Sequence, residues 1–244
     1  MPAPGQFILN KQVIPSELRS REWEAARVDY WRMERAFVMA GKVRFEDAQA
    51  CRNAAAALAN GKVSLIEARR AVREELERAG YRPTPGTTGT IKDIYTPRRL
   101  DVTLKTNVNM ARGYAEKNRL TGNAMYPASE LHRNRQSREP RDWQMRWNEA
   151  AASVNYEGVA RDGSFIALND SPIWAALSRW RTPYPPFDYG SGMWWRPVKW
   201  RVAEQKGLVT DEDMERIESQ RPESFNHDVA LDANVRDEDL GAAL

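Results

Sequence analysis

One cysteine and two histidines are all that 244 residues offer as thiol or imidazole groups. Cys51 alone rules out an intramolecular disulfide, and the compartment to expect is a reducing one. Cys51, His132 and His227 do not make a structural zinc site of the usual spacing, and no other pattern of metal ligands stands out, so no metal is expected. No run approaches the roughly 18 consecutive apolar residues of a membrane span, so no membrane partner is expected. The N-terminal stretch MPAPGQFILNKQVIPSEL lacks a basic region followed by an apolar run, which argues against a secretory signal. No Gly-x-x-x-x-Gly-Lys-Ser/Thr loop is present. The glycine-rich run Gly86-Thr87-Thr88-Gly89-Thr90 has no lysine where a phosphate loop needs one and reads as linker, which argues against an NTP-driven motor.

Nucleophilic catalysis has little to work with. Ser129 lies three residues before His132, with Glu130 between, but a hydrolase needs a third group and an oxyanion site that the sequence does not supply. Asp162, Asp170 and Asp188 sit among glycines and prolines. Three such carboxylates can hold a divalent cation, but turn formation explains them better. No catalytic residue and no cofactor is therefore expected, and the chain reads as a non-enzyme.

What is present is apolar material for a core and an uneven charge. Hydrophobic residues make up 41% and charged residues 29%, enough for one large domain or two small ones. Residues 201–244 carry 5 Lys/Arg against 12 Asp/Glu, whereas the other 200 residues carry 32 against 22. The densest basic part is Arg98 to Arg146, with 11 Lys/Arg against 5 Asp/Glu. A basic middle and an acidic tail point to a polyanionic or charge-patterned partner, or to a solvated surface with a frayed end. Arg133, Arg135, Arg138, Arg141 and Arg146 interleave with Trp143 and Trp147. Arginine suits phosphate contacts and tryptophan suits stacking, so these arginines are the candidate DNA-binding residues. The alternative is that the tryptophans are core and the arginines a wet or ion-paired face.

The pattern along the chain predicts an α-rich α+β fold. Residues 1–15, with prolines at 2, 4 and 15, read as extended. Three- and four-residue spacings predict a helix from Ser16 to Ala40. An alanine-rich helix follows over 44–59, and a third helix begins at Ser64, which forms a capping-box pattern with Glu67. Gly61 and Gly80 end these two, and together they read as an αα-hairpin. Residues 1–81 are thus a helical module. Residues 82–97 are a Pro/Gly linker, the expected domain boundary, with room for a short strand at Ile91 or Ile94-Tyr95. Residues 98–209 form a compact domain with short strands and irregular loops: a helix over 100–120, a polar helical piece from Glu130 to Arg138, a helix over 142–152, short strands within 158–168, and a short helix opened by Pro172. Short helices over 198–206 and 210–219 follow. Residues 210–244 are a short helix capped by Thr210 and an acidic tail.

Seven of the nine tryptophans fall between Asp142 and Trp200, among prolines and glycines. Large aromatic anchors beside turn residues describe a compact, irregular domain. Three features within it carry a resemblance. A Thr- and Ala-containing helix runs from Leu104-Lys105-Thr106-Asn107 through Ala115. An Asp-x-x-x-Arg element, Asp142 and Arg146, is followed by Ala150-Ala151. A glycine-led segment runs from Gly163 to Phe165, then Asp170-Ser171-Pro172-Ile173-Trp174, then Tyr184-Pro185-Pro186-Phe187-Asp188. In these features, over residues 100–200, the chain resembles the phage minor head proteins of the Mu F-like type, also called head morphogenesis proteins. It departs from the pattern at Glu149, where many members have histidine, and at Ser191-Gly192-Met193-Trp194-Trp195-Arg196, where many have Cys-Arg-Cys. Any metal site or bridge those residues form in relatives is lost here.

The resemblance implies a virion component: a structural and assembly protein of a tailed-phage head, assembled in the host cytoplasm and placed near the portal. Its implied partners are portal and capsid or scaffold proteins, packaged double-stranded DNA, and further copies of itself in the particle. It implies structural roles for Asp142, Arg146, Trp174, Pro185 and Pro186 and brings no catalytic residue. Two other readings stay open, a nucleic-acid-binding protein acting outside a particle and a hydrolase with an unrecognised site.

Overall fold

Tight glycine turns set the architecture of the first half of the chain. The computed structural model describes residues 3–14, 34–39, 44–135, 141–156 and 164–222. It is a helix-rich α+β protein that divides into two compact units, residues 1–111 with 225–244, and residues 112–224. The division falls inside a helix and not in the 82–97 segment, where the sequence placed the boundary.

In the first unit, helix α1 (Pro4–Leu9) leads into strand β1 (Gln12–Ile14), which pairs in parallel with β2 (Ala36–Val38). Two expectations are corrected here. Residues 4–9 are helical, with Pro4 in the first turn, where its missing N–H has no helical partner to lose. Residues 36–38 are a strand and not the end of a helix, because pairing with Gln12–Ile14 overrides their local preference. Of the rest of the expected helix, Glu34 and Arg35 are helical, and residues 16–33 and 40 lie outside the described residues.

Helices α2 (Phe45–Ala59) and α3 (Leu65–Arg78) form the expected hairpin. Ala48, Cys51, Ala54, Ala55 and Ala56 line the buried side of α2, and Ala68, Val72 and Leu76 that of α3. Both helices end alike. Gly61 and Gly80 adopt φ values of +69° and +66°. The amide of Lys62 donates to Ala57 O and that of Gly61 to Leu58 O. Tyr81 donates to Leu76 O and Gly80 to Glu77 O. These are paired Schellman bonds, which satisfy the last carbonyls and need a left-handed residue. Ser64 and Glu67 make the predicted reciprocal cap, Ser64 N donating to Glu67 Oε2 at 2.6 Å and Glu67 N to Ser64 Oγ at 3.3 Å. Those bonds hold the Glu67 carboxyl below its ordinary value. Helix α1 seats on the end of α2 through Gly5, whose amide donates to Asn60 Oδ1 at 2.9 Å and whose missing side chain leaves room for Asn60. Cys51 is fully buried, and burial pushes its thiol up to about 12, so it packs as a small apolar residue.

Residues 82–96 hold turns and no strand, and they are ordered around one acid. Buried Asp93 accepts from Gly89 N at 2.9 Å, Tyr95 N at 3.0 Å and Tyr81 Oη at 3.3 Å. Helix α4 (Pro97–Leu120) follows, with Leu100, Leu104, Val108 and Ala111 on its buried face in this unit.

The second unit is built on a three-stranded antiparallel sheet ordered β4-β3-β5, where β3 is Ala128–Arg133, β4 Ile166–Leu168 and β5 Met193–Val198. β3 corrects the helix expected from Glu130 to Arg138. It is a central strand because its partners, Ile166–Leu168 and Met193–Val198, lie far along the chain. Alternate residues face opposite ways. Ala128, Ile166 and Val198 pack with Ala203, Val209 and Ile217 on one face. The other face carries Leu131, Ala167, Met193 and Trp195, all buried. Helices α5 (Trp143–Ser153) and α6 (Ile173–Leu177) pack together. Helices α7 (Trp200–Gln205) and α8 (Glu212–Ser219) complete the unit. Val198, expected to open α7, closes β5 instead, since it pairs with Ala128. Thr210 sits before α8 as expected, but its hydroxyl donates to Glu212 Oε2 at 2.7 Å and to Asp213 Oδ2 at 3.3 Å, and Asp211 occupies the N-cap position.

Two tests follow from this packing. At Gly113, in α4, an added Cβ would lie 1.6 Å from Pro185 O. Alanine normally stabilises a helix interior over glycine by about 1 kcal/mol. Gly113→Ala is expected to reverse that sign and destabilise by about 3 kcal/mol or more, read as the urea midpoint of tryptophan fluorescence. In the first unit, Lys11 is 3% exposed with Nζ 4.8 Å from the Phe7 ring centroid. Burial lowers its pKa from 10.5 to about 8, against the opposing pull of Glu34. Between those values the unfolded chain binds more protons than the folded one, so the lysine's contribution to stability rises with pH across that window. The stability of the parent relative to Lys11→Met, which cannot titrate here, is therefore expected to rise between pH 8 and pH 10.5 in urea unfolding followed by circular dichroism.

Candidate functional site

An acid buried in the most aromatic part of the chain defines the site. Asp188 follows Pro185-Pro186-Phe187 and its side chain is 4% exposed. A buried carboxylate needs charged or hydrogen-bonding partners, and arginines supply them. Arg146 Nη1 donates to Asp188 Oδ2 at 2.9 Å, and Arg141 Nε lies 3.1 Å from the same oxygen. Arg179 Nη1 lies 3.5 Å from Oδ1, and the amide of Tyr189 donates to Oδ1 at 2.7 Å.

Each partner is itself held in place. Asp142 caps α5, its Oδ1 accepting from Met145 N at 2.9 Å, and so starts the helix that carries Arg146. The Arg146 guanidinium lies 4.7 Å over the Trp143 ring, and Arg179 lies 5.5 Å over Tyr189. Arg141 Nη2 donates to Tyr189 O at 2.9 Å. The amide of Arg179 donates to Phe187 O at 3.0 Å, which fixes the approach of its chain to Asp188. On the far side, the amides of Asn134 and Arg135 both donate to Gly192 O, at 2.9 and 3.2 Å. Gly192 is obligatory: at φ +69°, an added Cβ would lie 2.0 Å from Arg135 O.

Beneath this cluster lies a set of rings centred on Trp174. Its ring contacts Trp147 at 5.5 Å and Trp195 at 5.3 Å, both edge-on, and stacks on Phe187 at 5.7 Å. Its indole N–H donates to Leu168 O at 2.8 Å. Trp147 extends the set to Phe165 and Tyr156. The Tyr156 hydroxyl donates to Ile166 O at 2.9 Å, and burial pushes it up to about 12. The cis Pro185–Pro186 turn lies against α4 at Gly113, where Tyr184 meets Tyr114 edge-on.

The five arginines singled out from the sequence do not share one environment. Arg141 and Arg146 are committed to Asp188 and keep 34% and 25% of their side-chain surface exposed. Arg135 is exposed at the end of β3, and Arg133 is half-buried opposite Met193. Arg138 lies outside the described residues. The motif residues Asp142, Arg146, Trp174, Pro185 and Pro186 all lie in the second unit, as cap, ion pair, ring hub and turn. Two participants were not singled out for this role. Arg179 carried no local signal. Asp188 was read as a turn former, although an acid inside an apolar, aromatic run signals a buried pair.

The other candidates separate. On β3, Ser129 and His132 point to opposite faces, and Ser129 Oγ donates to Asn169 Oδ1 at 2.7 Å. They do not form a nucleophile–base pair. Asp170 accepts from Arg216 Nη1 at 2.9 Å and Gln220 Nε2 at 2.6 Å, away from the arginines that hold Asp188. Asp162 and His227 lie outside the described residues. What the Asp188 cluster offers chemically is fixed guanidinium donors rather than a reacting group. The chain matches no protein-family model, no curated protein and no solved structure.

Trp174 is the test of this arrangement. Trp174→Ala is expected to cost about 3–5 kcal/mol. Trp174→Phe, which keeps ring stacking but loses the bond to Leu168 O, is expected to fall between it and the parent in urea unfolding. Equal stability of all three would remove Trp174 from the centre of the unit.

Proposed function

We infer that the chain is a non-enzymatic structural and assembly protein of a tailed-phage head, a minor component near the portal that supports head morphogenesis and DNA packaging or delivery. The observation that carries this reading is the placement of the residues behind the family resemblance. Asp142, Arg146, Trp174, Pro185 and Pro186 each brace the second unit: a helix cap, an ion pair, an aromatic hub and a turn seated on a helix. A protein whose distinctive residues serve rigidity is suited to holding a geometry among partners. The hydrolase reading has less support, because the serine and histidine it would use lie on opposite faces of one strand. The basic surface suits the neighbourhood of packaged DNA, and the helical hairpin of the first unit suits docking on portal or capsid.

Co-expression with the portal protein of the same phage tests the reading. A complex of defined ratio, resolved by size exclusion and mass determination, is the expected outcome. A chain that stays monomeric beside an assembled portal overturns it.

A further inference from the structure

We propose that Arg141 and Arg146, fixed by Asp188 and flanked by Arg135, form a preorganised binding site for the phosphodiester backbone of double-stranded DNA. The argument begins with charge. Both guanidiniums approach a single carboxylate oxygen, Asp188 Oδ2, at 3.1 and 2.9 Å. One negative charge facing these two arginines leaves a positive charge uncompensated, and no second carboxylate pairs with either among the described residues. Like charges held this close favour a further anion between them.

The donors are also positioned. Arg146 engages Asp188 through one terminal nitrogen and lies over Trp143, while Arg141 uses Nε and Nη2 on Asp188 and Tyr189 O. Each guanidinium has N–H groups that these bonds leave unused, and a quarter to a third of each side chain is exposed. A planar fork already held in place matches phosphate geometry and loses little entropy on binding. The Trp143 ring beneath Arg146 is buried, which keeps that guanidinium from folding back into solvent-exposed alternatives.

The surroundings favour a polymer of anions over a single one. Arg135 is exposed and bound through its backbone to Gly192, four residues beyond Asp188 on the loop that Arg141 also grips. A backbone carrying one charge per phosphate engages such cations together, releasing counterions with each contact. Backbone contacts of this kind position without reading sequence. The proposal is independent of the assembly reading, since it needs no portal and no particle.

The test is a titration of labelled mixed-sequence duplex DNA with the full chain, followed by anisotropy over a series of salt concentrations. The parent is expected to bind with log K falling linearly in log salt. Arg141→Gln and Arg146→Gln are each expected to weaken binding and to reduce the magnitude of that slope by about 0.9. Arg135→Gln, which touches no ion pair among the described residues, is expected to reduce it similarly and guards against loss through misfolding. Arg201→Gln, exposed on α7, is expected to leave it unchanged. A parent that does not bind at low salt, or slopes that match the parent in all three site variants, overturns the proposal. Binding of poly-glutamate through the same arginines, with DNA left unbound, overturns it in favour of an acidic protein partner.

Discussion

Burying the carboxylate of Asp188 is the constraint around which the second unit is arranged. A charge taken out of water must be met by opposite charge or by donors, or it is not tolerated. Meeting it draws three parts of the chain together: the segment entering α5, α5 itself, and the turn after α6. Arg146 comes from 42 residues and Arg141 from 47 residues earlier in the chain than Asp188. The loop that carries the acid is thereby fixed against the helix that begins at Asp142. The ring cluster around Trp174 then fills the volume beneath with apolar surface. Aromatic burial supplies the bulk of the driving force here, and the ion pairs decide which arrangement of those rings is adopted.

The same constraint links structure to function. A surface arginine that waves in solvent contributes little and costs side-chain entropy to immobilise. Arg141 and Arg146 have lost that freedom to Asp188, Tyr189 and Trp143 before any partner arrives. In the proposed site the internal salt bridge and the external contact are one device, in which the buried acid holds two arginines that stay partly exposed. Such a device suits the proposed role beside highly charged DNA.

What could be read from the sequence follows the range of the interactions concerned. The α2–α3 hairpin was legible because its signals are local: alanine runs, the Ser64–Glu67 cap, and Gly61 and Gly80 at the ends. Helix α4 was legible from its apolar spacing. Strand β3 was not, since Ala-Ser-Glu-Leu-His-Arg has no strong preference of its own. It becomes a strand because Ile166–Leu168 and Met193–Val198 flank it. Residues 36–38 repeat the lesson, continuing a helical pattern in sequence yet pairing with Gln12–Ile14. At the site, the arginine block was visible as composition, but its division into paired and exposed members was not. That division depends on Asp188, whose aromatic setting is the one sequence signal of its burial, and on Arg179, which carried no local signal.

The most direct measurement of this account is a double-mutant cycle between Arg146 and Asp188. Arg146→Gln, Asp188→Asn and the double variant would be unfolded in urea beside the parent. If the buried pair organises the unit, the coupling energy is about 2 kcal/mol, within the range for residues sharing one ion-pair network, and the double variant loses much less than the sum of the two single losses. Strictly additive losses would contradict the account and make Asp188 a passive member of its turn.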